Sequence, residues 1–71
     1  MHPYHYACGR AQDIRKLTLN NARMVVREMV EDGVAPVKEA VNYCCTAFQL
    51  GLVDQATLRE EALQRFSEVA Q

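Results

Sequence analysis

The stretch PVKEAVNYCCTAFQLG, residues 36–51, decides the fold class. Val37, Ala40, Val41, Cys44 and Phe48 recur at i, i+3, i+4, i+7 and i+11, a spacing that lines one face of an α-helix. Pro36 suits the first helical position, where a missing N–H has no intrahelical partner and the ring pre-sets φ. Gly51 marks the stop. The pattern therefore predicts a helix over 36–51 with an apolar core line.

Working outward, Leu19, Ala22, Val25, Val26, Met29 and Val30 share one broad face upstream. They predict a helix over 13–32, closed by Gly33 with Pro36 just beyond. Asp13 and Thr18 are both acceptable N-caps and Asn20-Asn21 is a weak interior pair, so a short turn before Thr18 is an open alternative. Downstream, Asp54 caps a helix over 54–70 whose apolar side is Leu58, Ala62, Leu63, Phe66, Val69 and Ala70. The connection from Gly51 to Asp54 is short, which makes the last two helices neighbours. Residues 1–12, with Pro3, Gly9 and no helical period, read as an irregular N-terminal arm. The expectation is all-α: an arm, 1–12, and one domain, 13–71, built as a three-helix bundle without strands or repeats.

Seventy-one residues allow one domain with a thin core, and the 49% hydrophobic content is that of a globular chain. Ordering so short a chain costs about as much as its apolar burial returns. A homodimer is the expected remedy. No apolar run approaches a membrane span, and MHPYHYACGR lacks the basic end and apolar core of a secretory signal. Cys44 and Cys45 are adjacent on a helix and poorly placed to bridge, so with Cys8 they read as reduced thiols of a cytoplasmic protein. Residues 1–30 hold Arg10, Arg15, Lys16, Arg23 and Arg27 against Asp13 and Glu28, a charge of +3 beside an acidic remainder.

His2-x-x-His5-x-x-Cys8 offers nitrogen and sulfur donors, but the further donors Cys44 and Cys45 sit in a core helix, where cysteine behaves as a small hydrophobe. We expect no metal and no cofactor. Neither histidine adjoins Cys44 or Cys45 in sequence, phosphate-binding glycine loops are missing, and Glu60 and Glu61 diverge by about 100° on a helix. The expectation is a protein that is not an enzyme. Ala47-x-x-x-Gly51 followed by a helix resembles the centre of a helix-turn-helix. The packing positions of that motif would be filled by Thr46, Thr57 and Glu60, and Glu60 and Glu61 would face phosphates, so the likeness is rejected.

Two surfaces remain. Tyr43, Ala47 and Leu50 cluster to one side of the core line of residues 37–48, and Met24 stands apart from its own core face. They are the candidate partner-binding residues, with the alternative that the 36–51 helix is buried on two sides, by its neighbour and by the arm. Lys16, Asn20, Arg23 and Arg27 fall within about 60° of one another if their helix is continuous, a candidate nucleic-acid stripe. By elimination the sequence points to a small non-catalytic protein-binding module. Adaptors, antitoxins and the inhibitors or regulators carried by phages and mobile elements are of this kind. The alternative is a nucleic-acid-binding regulator using the basic stripe.

Overall fold

The computed structural model describes residues 2–67, and among them the fold is all-α, with four helices. They are α1 (Pro3–Ile14), α2 (Leu19–Glu31), α3 (Val37–Ala47) and α4 (Leu52–Ser67). The expected helix positions Val69 and Ala70 lie outside the described residues.

The expected irregular arm is instead a helix. His2 is its N-cap, with Nδ1 accepting the Tyr4 N–H at 3.1 Å, and Pro3 takes the first turn. Only Ala7 and Ala11 of α1 are buried, a spacing of one turn whose small side chains give no strong apolar period. The single helix expected over 13–32 is correspondingly divided. Asp13 and Ile14 end α1, Arg15 adopts a left-handed φ of 63°, and Thr18 is the cap of α2, accepting the Asn21 N–H at 3.2 Å. Of the two caps read from the sequence, Thr18 is the one used, and the fold has four helices rather than three.

α2 and α3 end alike. At Gly33 (φ 72°) the N–H groups of Gly33 and Val34 reach Val30 O and Met29 O at 3.2 and 2.8 Å, the paired bonds of a Schellman motif. At Gln49 (φ 53°) the N–H groups of Gln49 and Leu50 reach Thr46 O and Cys45 O, both at 3.1 Å. This second motif stops α3 at Ala47, short of the expected Gly51, and turns Leu50 back onto the core, where it is 7% exposed. Gly51 then opens α4, its carbonyl accepting the Gln55 N–H at 2.9 Å while Gln55 Nε2 donates to Leu50 O at 2.7 Å. Asp54 therefore lies in the first turn of α4 rather than at its cap, still well placed against the helix dipole.

α3 packs against all three other helices, α1 and α4 flank it without meeting, and α2 lies across the set. The core follows the faces read from the sequence: Val25, Val26 and Met29 of α2, Val41 and Cys44 of α3 and Leu58 of α4 are essentially inaccessible, with Phe48 closing the end of α3. Leu19, Val30, Val37 and Phe66 pack against this cluster from its edge. No helix of the described residues is long and apolar enough to cross a membrane.

Candidate interaction surface

The expected face of Tyr43, Ala47 and Leu50 is covered from within the chain. Leu50 is buried, and Tyr43 and Ala47 are half-buried against the core cluster. α1 supplies the cover: the Tyr43 ring meets His2 edge-on at 5.7 Å and Tyr4 at 6.0 Å, both favourable aromatic distances. These three residues therefore form no open patch in the isolated chain. Here the alternative reading, α3 buried on two sides, describes the geometry. Met24 does stand outside, 42% exposed on α2.

The basic set is not a single free stripe. Lys16 sits in the α1–α2 connection, where its carbonyl accepts from Asn21 Nδ2 at 3.0 Å, so it is not on the same helix as the others. Arg23 grips Glu61 with two bonds of 2.7 and 3.1 Å, and Arg27 meets Glu31 at 2.9 Å. The hydrogen bond to Arg23 holds the Glu61 carboxyl below the usual carboxylate range. Asn20 remains exposed. Between α2 and α4 lies an open cleft of about 490 Å³, with Val26, Leu58, Ala62 and Phe66 inside and Arg23, Arg27, Glu61 and Arg65 at its sides.

The two thiols of α3 are buried. Burial pushes Cys44 up to about 12, its Sγ lying 3.7 Å from Met29 Sδ, and burial raises Cys45 as well. The His2 and His5 rings lie 5.8 Å apart, tilted by 50°, and among the described residues no three His, Cys, Asp or Glu side chains gather as a metal site.

The apolar surface that sequence reasoning missed is at the start of α4. Leu52 is 84% exposed and Val53 79%, far above the other large apolar side chains at the surface. Both fall in a segment read as a connection. Its short apolar pair beside a glycine was the available signal. No family model matches the chain, and no match is found among curated proteins or among solved structures.

Proposed function

We propose that this chain is a small non-catalytic protein-binding module of the adaptor, inhibitor or regulator kind, acting through the exposed start of α4. The observation that carries the reading is the exposure of Leu52 and Val53 side by side on the first turn of that helix. Single exposed apolar residues are ordinary, but an adjacent pair this open is surface that a partner would gain by covering, at about 1.5–3 kcal/mol per side chain. The arginines of α2 are meanwhile engaged with carboxylates of the same chain, which leaves phosphate less to bind. The reduced thiols suit a cytoplasmic setting.

The test is capture of proteins from an extract of the source cell on immobilised chain, with nuclease and at two salt concentrations. Wild type is expected to retain the same protein after nuclease treatment and at about 0.5 M salt, because apolar contacts resist screening. The double variant L52D/V53D should lose it by about tenfold or more with an unchanged helical spectrum. Retention that disappears with nuclease or salt assigns the chain to nucleic acid instead.

A further inference from the structure

The cleft between α2 and α4 gathers more positive charge than the chain itself engages. Arg23 and Arg27, one turn apart on α2, and Arg65 of α4 all line it, three of the eight Lys and Arg side chains in a protein whose net charge is -1. The cleft holds one carboxylate, Glu61, and Arg23 occupies both of its oxygens. Arg27 donates to Glu31 through Nε alone, so among the described residues its two terminal nitrogens have no acceptor. Arg65 is exposed and, among the described residues, makes no ion pair. Guanidinium groups gathered around one cleft repel one another until an anion joins them.

The floor beneath them is apolar. Ala62 and Phe66 of α4 and Val26 of α2 form it, with Leu58 at its far end, and from Leu58 to Phe66 the helix rises by about 12 Å. The volume of about 490 Å³ is that of a small-molecule site. Two guanidinium groups with donors to spare are too few to track a nucleic-acid backbone, and an apolar floor has no use for phosphate.

We propose that this cleft binds a small amphipathic carboxylate, the anion of a medium-chain fatty acid, with its head on Arg27 and Arg65 and its chain along the floor past Phe66. The fork of a guanidinium matches the paired oxygens of a carboxylate, and the arginine stems extend the apolar walls. The Arg23–Glu61 pair stays closed beside the chain. This site is independent of the protein-binding reading, which rests on Leu52 and Val53. It is shallow, since Val26 and Leu58 are almost wholly covered by the fold, and the Kd for decanoate is accordingly on the order of 1 mM.

Titration of the 15N-labelled 71-residue chain with decanoate, followed by amide chemical shifts at constant pH, tests the site. The shifts should saturate and cluster at residues 23–27 and 58–66, and octanoate should bind about fivefold more weakly. Inorganic phosphate and 1-octanol, an anion without a chain and a chain without an anion, should each be weaker by about tenfold or more. The variant R27Q/R65Q, changed at two exposed positions, should keep the helical spectrum and raise the decanoate Kd about tenfold. Unsaturated shifts spread over all four helices, phosphate binding as tight as decanoate, or an unchanged Kd in R27Q/R65Q overturns the proposal. So do two results on the ligand-free chain: nuclear Overhauser contacts from residues 68–71 to Phe66, which would give the cleft to the chain's own end, and cleft shifts that change with protein concentration, which would give it to a second copy.

Discussion

α1 and α4 flank the same central helix by opposite means. α1 approaches α3 through Ala7 and Ala11 and through the Tyr4–Tyr43 and His2–Tyr43 ring contacts, and a two-bond ion pair, Arg10 to Glu28 at 2.9 and 3.1 Å, ties it to α2. α4 is held by an inaccessible Leu58 and by Ala62, with the Arg23–Glu61 pair outside. A helix poor in large apolar side chains can thus be fastened by close backbone approach and directional polar contacts, with little apolar surface left over. The apolar-rich helix is fastened by burial and keeps a surplus, Leu52 and Val53, in water. The apolar excess on α3 is satisfied by α1; that on α4 is not satisfied among the described residues.

The largest effect separating the two attachments is expected at Leu58. Leu58→Ala removes a fully buried anchor and should cost about 2–5 kcal/mol, enough to lower Tm by roughly 10 °C or more in so small a domain. Thermal unfolding by circular dichroism measures it. Survival of the native melt would mean that α4 is held by its surface contacts instead.

A smaller effect is expected at Ala7, which is wholly inaccessible. Ala7→Leu overfills the α1–α3 contact and should cost about 1–3 kcal/mol. Amide hydrogen exchange should show the protection lost chiefly over residues 3–14, with Tyr43 uncovered. Uniform loss across all four helices would erase the distinction between clasp and core.

The smallest contrast lies in the ion pairs. Glu28 and Arg10 have side chains 31% and 32% exposed, so Glu28→Gln should cost about 1 kcal/mol, read from a denaturant midpoint. Glu61→Gln, in the more open pair, should shift the midpoint less. Its pH dependence has a defined sign. Arg23 lowers the Glu61 carboxyl, so that contribution is present above the unfolded carboxyl's value near 4.3 and is lost as pH falls through the lower folded value. Wild type and Glu61→Gln should therefore converge in acid. Equal midpoint shifts for Glu28→Gln and Glu61→Gln at neutral pH would show that burial does not distinguish the two clasps.

The faces of α2, α3 and α4 were legible because Val25, Val26, Met29, Val41, Cys44 and Leu58 are large enough to reveal a 3.6-residue period. α1 was not, since alanines at one-turn spacing among histidines, tyrosines and Gly9 carry little hydrophobic signal. The end of α3 was misplaced for a different reason. Gln49 takes the left-handed position usually given to glycine, and Gly51 two residues later drew the boundary. That shift hides Leu50 and leaves Leu52 exposed at the start of α4, while rings of the α1 end cover Tyr43. The candidate basic stripe depended on one continuous helix, and the break at Arg15 removed Lys16 from it.

The sulfur atoms give the protein a set of internal clocks. Cys8 is half-exposed on α1, Cys45 lies within the field of Arg59 on α4, and Cys44 is sealed against Met29. Because only a thiolate reacts, and Cys44 ionises at neutral pH chiefly when the surrounding helices part, its alkylation rate counts whole-domain openings. Cys45 counts separations of α3 from α4, while the half-exposed Cys8 reacts in the folded chain and serves as their reference. Two buried native thiols and one accessible reference thus order the opening events of a 71-residue chain in time, with no label or substitution introduced.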